Sequence, residues 1–357
     1  MQPASAPLDS WPRTVSHLSS LMDLEASARS HRALLRKRGV RSAADLLHLA
    51  LLYGPGGMSL RALASHATET GIADLCDVSL LDRLRNAPDF LNDVLQHLLA
   101  ERLGAAPQSG ELRLCMVDGS TISAPGSAGC DWRLHARYES ARDGFTDFDL
   151  TPIRDAEALN RVILRPGDVA LCDRGFARLR NFAHAQANQA DFITRIGWCS
   201  LRLFNLAGER FNLLAALAEA GQRVVEHRVR IGSGTAAVEA RLILAPKPAE
   251  ATARQQNRAQ RRANRSGNKT DPRTLLAAGF MMLVTSLPAA RANAEQVLAL
   301  YRMRWQIELA FKRLKSLGRF AELRADDAKL ARAWLLAHLI AAVLIETSLG
   351  EDLDSPP

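Results

Sequence analysis

The spacing of apolar residues changes along the chain from helical to strand-like and back to helical. Residues 15–104 carry Leu and Ala at helical intervals with almost no strand signal, which predicts an all-α region. The run GPGG at 54–57 interrupts it. Ser59 and Ser79 each precede a short periodic stretch and are predicted to cap helices. Two short helices across a Gly-containing turn are typical either of a helix-turn-helix DNA reader or of a plain helical bundle.

A different pattern begins after the linker-like stretch 105–110. Short apolar runs alternate with helical spacing at 156–162 and 177–189, which predicts an α/β fold with a mixed sheet. The predicted strands are LRLCMVD (112–118), WRLHARY (132–138), FTDFDLTPI (145–153), DVALCD (168–173), DFITRIG (191–197) and FMMLVTSLP (280–288).

Residues 200–279 interrupt the alternation of strands and helices. Strand-like stretches around one short helical piece predict a β-rich insertion, followed by a basic arm at 254–273 with one acid, Asp271. The cations of this arm are Arg254, Arg258, Arg261, Arg262, Arg265, Lys269 and Arg273. We expect the arm to be mobile unless it binds an anion. Contact with a phosphate backbone is favoured over a solvated loop, because charge of one sign repels itself without a partner.

The stretch 293–318 predicts one continuous amphipathic helix. Asn293 and Gln296 form a capping-box pair at its start, and Gly318 stands where a helix commonly ends. On a helical wheel, four polar side chains lie within roughly 60° of one another beside an apolar stripe. They are Tyr301, Arg304, Glu308 and Lys315. From periodicity alone, a solvated helix with charged pairs explains this column equally well.

Composition narrows the class of partner. The 357 residues are 47% hydrophobic, which is enough for a large core, and the net charge of +8 with a pI near 9.6 suggests an anionic polymer. Five cysteines without a CxxC pair indicate a reducing cytosol and are expected to be small buried side chains. No signal peptide is expected, and the apolar run 333–345 is too short to span a bilayer.

Three acidic residues are candidates for one site. Asp118 and Asp173 each end a predicted apolar strand, and Glu308 lies on the charged column of the helix. A single strand-end Asp is common as a turn-former, but ligands gather where strands of an α/β sheet end. Carboxylates without His or Cys suit Mg²⁺ or Mn²⁺, and two such ions can cleave a phosphodiester. A glycosidase could also use paired carboxylates, but at 5% aromatic residues a sugar cleft is not favoured.

The motifs carry a resemblance to a known family. Tyr301, Arg304, Glu308 and Lys315 match the YREK signature of bacterial insertion-sequence transposases of the DDE class, in the family of insertion sequence four. The likeness continues in order through MVDGS, GCDWRLHARYE, LCDRGF and LVTSLP, over most of the chain. Hairpin-forming relatives carry a Trp on the strand before the signature. Here that strand begins with Phe280 and Met281, so cleavage by water is the safer expectation.

The resemblance implies an RNase H-like core in which Asp118, Asp173 and Glu308 hold two Mg²⁺ or Mn²⁺ ions. It implies that Arg304 and Lys315 contact transposon-end phosphates. Tyr301 would lie in the same contact region and Arg174 beside the site. The expected reaction cuts DNA at the ends of an element and joins the 3′-hydroxyl to target DNA. Alternatives are a catalytically silent DNA-binding remnant and a host nuclease on the same core.

The expected organisation has three parts. Residues 1–104 form a helical DNA-binding domain, 105–199 and 280–350 form the RNase H-like core, and 200–279 form the β-rich insertion. DNA contacts on the arm are assigned to Arg258, Arg261, Arg262 and Arg265. The expected partners are double-stranded DNA, both terminal inverted repeats and target, and a second copy of the chain in the DNA-bound complex. The expected location is the bacterial cytoplasm, with no membrane.

Overall fold

The computed structural model describes residues 11–103, 112–127, 129, 131–317 and 323–354, without the side chains of 317 and 348–354. Six helices come first: α1 Trp11–Leu21, α2 Leu24–Ser30, α3 Ala43–Tyr53, α4 Leu60–Glu69, α5 Asp77–Arg85 and α6 Pro88–Arg102. The Ser59 hydroxyl accepts the N–H of Ala62 at 3.2 Å and caps α4 as predicted. The predicted cap at Ser79 is wrong, because α5 already begins at Asp77.

Nine strands form one mixed sheet in the order β3-β2-β1-β4-β5-β9-β8-β7-β6. They are β1 Arg113–Ile122, β2 Trp132–Glu139, β3 Gly144–Pro152, β4 Asp168–Cys172, β5 Asp191–Arg195, β6 Leu203–Phe204, β7 Val225–Ile231, β8 Val238–Pro246 and β9 Phe280–Thr285. β1 is antiparallel to β2 and parallel to β4, and β4 is parallel to β5. This confirms the α/β class, and the first five strands have the RNase H-like order.

Seven further helices surround and follow the sheet. They are α7 Leu179–Ala187, α8 Leu213–Ala220, α9 Ala249–Arg265, α10 Pro272–Ala278, α11 Ala294–Arg302, α12 Trp305–Leu317 and α13 Ala328–Asp354. The helix expected at 156–162 is only a 3₁₀ turn, Leu159–Arg161. The strands of the insertion do not form a sheet of their own. β8 pairs with β9, so β6, β7 and β8 extend the central sheet.

The two faces of the sheet are covered by different helices. Alternate residues of β1 point to opposite sides, so Met116 joins a core with the N-terminal helices and α13, whereas Val117 joins a core with α7 and α8. By length and apolar composition α13 could cross a membrane. Two thirds of its apolar window, 67%, is buried inside the protein, which agrees with the buried helix predicted at 333–345.

Three further expectations are corrected. The helix predicted at 293–318 is two helices, because Met303 and Arg304 form a turn, and Gly318 lies outside the described residues. The arm at 254–273 was expected to be mobile, but most of it is helical in α9. Cys76 and Cys199 are exposed rather than buried, whereas Cys115 and Cys172 are buried as expected; Cys130 lies outside the described residues.

Candidate active site

Strand pairing places two aspartates side by side. The last paired residues of the parallel β1 and β4 strands are Val117 and Cys172, and each is followed directly by an aspartate, Asp118 and Asp173. Asp118 does not end its strand as predicted, because β1 continues to Ile122 through its pairing with β2. The aspartates meet at the site edge. This name denotes the side of the sheet that is formed by the carboxyl ends of β4 and β5, not an edge strand.

The environment of Asp118 favours a bound cation. Its side chain is 19% exposed, and burial raises its pKa to about 6, with the negative charges of Asp173 and Glu157 adding to the rise. The backbone N–H of Gly119, which donates to Asp118 Oδ1 at 2.8 Å, and the charge of Arg304 act in the opposite direction. A positive charge placed among these carboxylates would relieve their mutual repulsion.

The turn between α11 and α12 brings Arg304 and Glu308 to the site edge. The N–H of Arg304 donates to the carbonyl of Tyr301 at 3.1 Å, three residues back, which is a tighter bond than an α-helix makes. Arg304 lies between two carboxylates. One guanidinium nitrogen is 3.6 Å from Asp118 Oδ2, and the other donates to Glu308 Oε1. The Glu308 side chain is 52% exposed, so it reaches Asp118 only through Arg304.

Glu157 is a fourth carboxylate at this site. Its place in the sequence allows either a residue that supports the site or an ordinary acid at a helix start, and the second interpretation was favoured, but no α-helix begins there. Its oxygens occupy the space where side chains on Gly119 and Gly175 would lie, 2.7 Å from the position of each missing Cβ. Its pKa is raised by burial and by the charge of Asp173. The sequence did contain a signal for this packing, because a glycine, which leaves room for a neighbouring side chain, closely follows each of the two aspartates.

The structure places the other predicted side chains in four different settings. Tyr301 is buried rather than exposed to a ligand, and burial raises its pKa to about 12, opposed by the charges of Arg304 and Arg195. Lys315 donates to the carbonyl of Thr121 at 3.0 Å, near the end of β1 and beyond Asp118. Arg174 is exposed and directly follows Asp173. The arm residues Arg258, Arg261, Arg262 and Arg265 lie on α9, apart from this cluster.

The donor chemistry fits a divalent metal ion. Carboxylate oxygens without nitrogen or sulfur neighbours suit Mg²⁺ or Mn²⁺, and Arg304 already places a positive group between Asp118 and Glu308. Among the described residues, no three His, Cys, Asp or Glu side chains are close enough together to bind one ion. His135 is not a candidate, because its Nε2 lies 3.0 Å from the Thr151 hydroxyl inside the sheet.

Comparison with known proteins shows the family of this chain. A model of the transposase DDE domain matches residues 110–344. The putative transposase InsL for insertion sequence element IS186A of Escherichia coli K12 is 42% identical, over 98% of this chain and 96% of its own length. The Escherichia coli transposase for insertion sequence element IS421 is equally similar, with the same coverage.

Among solved structures, a piggyBac transposase synaptic complex with hairpin DNA aligns with a TM-score of 0.47 and 7% identity, covering 95% of this chain and 75% of that one. The family assignment does not depend on that alignment. It follows from the domain match and from identity along nearly the whole length. The chain belongs to the DDE transposases, enzymes that move DNA.

Proposed function

We propose that Asp118, Asp173 and Glu308 hold two Mg²⁺ or Mn²⁺ ions and that the protein cuts DNA at the ends of its element. It then joins the freed 3′-hydroxyl to a target phosphodiester. The observation that carries this proposal is the register of β1 and β4, which sets two aspartates side by side next to the Arg304–Glu308 pair. When bound, such ions activate water and stabilise the leaving oxygen.

Arg304 has two roles in this proposal. In the structure it neutralises Asp118 and Glu308, and it therefore occupies the place of a cation between them. If these carboxylates were neutralised by a bound divalent ion, the Arg304 guanidinium would be available to bind a phosphate of the DNA end through paired hydrogen bonds. Lys315 stays fixed by the Thr121 carbonyl and contributes a positive charge at the other end of α12.

Glu157 acts as a positioning residue. Its carboxylate fills the space above Gly119 and Gly175, so it constrains the backbone directly after each aspartate. Arg133 lies 3.9 Å away and partly neutralises it. Its negative charge also favours a cation at Asp118 and Asp173.

Double-stranded DNA is the proposed partner, with the ends of the element and a target site bound in turn. Arg258, Arg261, Arg262 and Arg265 on α9 are proposed contacts to its backbone, because they make no ion pair within the described residues. Assembly of two ends requires two copies of the chain, so we propose a homodimer on DNA. The proposed location is the bacterial cytoplasm.

The helical region 1–104 is proposed to add DNA contacts, but through its surface rather than through a recognition helix. Arg83 on α5 donates to the backbone carbonyls of Arg36 and Arg38 at 3.0 Å. Arg85 on the same helix lies 3.4 Å from Asp327. Because these arginines hold the fold together, the described contacts favour a helical bundle over a helix-turn-helix reader.

The test replaces Glu308 by Gln and measures cleavage of a duplex that carries the terminal sequence of the element. We expect metal-dependent cleavage to be lost while binding of the duplex is retained. Glu295→Gln, an exposed carboxylate change on the neighbouring helix α11, is the matched control and should cleave normally. Cleavage that survives Glu308→Gln would refute the assignment.

The same assay separates the two alternatives. A silent remnant would bind the duplex without cutting it in any metal. A host nuclease would cut the duplex but produce no strand joined to a second DNA. The proposal expects both cut and joined products from the unaltered protein.

A further inference from the structure

Cations continue along the site edge beyond the carboxylates. β8 is antiparallel to β9, which is antiparallel to β5, so β5 and β8 end at the same edge of the sheet. Arg195 is the last residue of β5, and Lys247 directly follows β8. At the site edge, β1 and β4 therefore carry two carboxylates, and β5 and β8 carry two cations.

Lys247 is fixed at the base of the helical hairpin formed by α9 and α10. Its backbone N–H donates to the Gly279 carbonyl and its Nζ to the Ala278 carbonyl, both at 2.8 Å. The side chain is half-buried, and the two charges that act on it, those of Arg195 and Arg174, are both positive. Burial and these charges lower its pKa to about 8. Three cations gathered without an opposing carboxylate at Lys247 make a favourable place for an anion.

Neither arginine side chain of this group makes a hydrogen bond or ion pair within the described part of the chain, although the negative charge of Asp173 acts on Arg195. Arg195 is half-buried, and burial lowers its pKa, with Arg174 and Arg304 adding to the effect. A half-buried guanidinium is costly without a partner, so an incoming phosphate would supply the missing hydrogen-bond acceptors.

The helix α9 carries further positive charge beyond Lys247. Four of its five arginines, Arg254, Arg258, Arg261 and Arg265, lie within roughly 60° on the helix wheel. The opposite face carries small or uncharged residues and packs on α10, where the Gln256 side chain donates to the Leu275 carbonyl at 3.1 Å. No residue of α9 is buried, so the arginine face is open to a partner along its length. From the first of these arginines to the last, the rise is about 16 Å, close to half a turn of duplex DNA.

We propose that Arg195 and Lys247 form a phosphate site that joins the carboxylates to the arginine face of α9, so that one DNA duplex is held along the whole path. This inference rests on the proposed function and adds to it a residue, Lys247, outside the signature. It assigns the chemistry of the ligand as a phosphodiester backbone. The backbone could belong to the element end or to the flanking or target DNA.

The experiment measures binding of the terminal duplex over a range of KCl concentrations, without a divalent metal, by fluorescence anisotropy. Lys247→Gln should weaken binding about tenfold at moderate salt. It should also reduce the slope of log K against log salt by about 0.9, the value for one lost phosphate contact. Arg202 is an exposed arginine directly before β6, on the side of the sheet opposite the site edge, and Arg202→Gln is the matched control. It should leave the affinity and the salt slope unchanged.

A triple variant, R258Q/R261Q/R265Q, should reduce the slope by about three and leave the helix folded, which circular dichroism checks. Duplexes shortened on the inner side or on the flanking side identify the source. If the two proteins, Lys247→Gln and unaltered, bind one of the shortened duplexes equally well, the side removed from that duplex is the side that this path holds. If neither does so, or if Lys247→Gln behaves like Arg202→Gln, the inference is wrong. The proposed function would fail separately, through cleavage that survives Glu308→Gln.

Discussion

Replacing Gly175 by Ala tests the packing of the carboxylates with a single methyl group. The new Cβ would lie 2.7 Å from Glu157 Oε2 and 3.0 Å from Asp173 Oδ1, whereas ordinary contact begins at 3.4 Å. Glu157 must therefore retreat by about 0.7 Å and Asp173 by about 0.4 Å. Displacements of this size at a reacting centre cost on the order of tenfold to a hundredfold in rate. We expect that loss in the rate of end cleavage.

The same change should have little effect on stability. Gly175 is not in the left-handed region of backbone conformation, so Ala is compatible with the local 3₁₀ turn. The clash falls on side-chain carboxylates that can move, and a compatible Gly-to-Ala change alters stability by about 1 kcal/mol or less. Thermal unfolding measured alongside cleavage separates the two effects.

Gly197→Ala is the matched control, because its nearest neighbour, Ser200, would lie 3.7 Å from the new Cβ. That variant should cleave like the unaltered protein. If Gly175→Ala cleaves as fast as Gly197→Ala while both remain folded, the close packing of Glu157 and Asp173 has no part in the reaction. The positioning role of Glu157 would then be wrong.

Two further predictions concern the stability of the core. Arg137→Met removes a fully buried guanidinium that contacts Asp168 at 3.2 Å and Glu139 at 3.2 Å, and it should cost about 3–5 kcal/mol in urea unfolding; an unchanged midpoint would refute this. Burial lowers the pKa of His338 to about 4 from 6.5, so the unfolded chain takes up the proton first. The free energy of unfolding should therefore fall by about 3 kcal/mol between pH 6.5 and pH 4 through this group. His338→Leu should remove that part of the pH dependence, and an unaltered pH profile would contradict it.

Local sequence patterns predicted the strands and the meeting of the two aspartates. Apolar runs marked β1 and β4, and their parallel pairing brings Asp118 and Asp173 together, as expected for strands joined by a crossover. The capping box at Asn293 is confirmed, because the Asn293 and Gln296 side chains and backbone exchange hydrogen bonds. These features depend on residues close in sequence or on a general rule of sheet topology.

Features set by distant contacts were not predictable in the same way. The apolar stripe of 293–318 keeps its helical spacing on both sides of Met303 and Arg304, so nothing in that spacing indicates the turn that separates α11 from α12. The pairing of β8 with β9 joins the insertion to the central sheet and depends on residues about forty positions apart. Glu157 gains its role only from where Gly119 and Gly175 lie in the fold.

The helix α9 was missed for a different reason. Its charge and lack of large apolar residues are typical of a mobile segment, and that composition outweighed a local signal. Ala, Arg and Gln are strong helix formers, and together they make up most of the stretch 249–265. Small or uncharged residues recur at helical spacing opposite the arginines, which indicates one face that packs and one that stays open.

The most direct test of the account asks whether a metal ion contacts Asp173. Asp173→Cys exchanges a hard oxygen ligand for a thiolate, which Mg²⁺ binds poorly and softer ions such as Mn²⁺ or Cd²⁺ bind better. We predict that this variant binds the terminal duplex normally, does not cut it in Mg²⁺, and regains cleavage in Mn²⁺ or Cd²⁺. Undiminished cleavage by the variant in Mg²⁺, or cleavage by the unaltered protein in the presence of a chelator, would contradict the account.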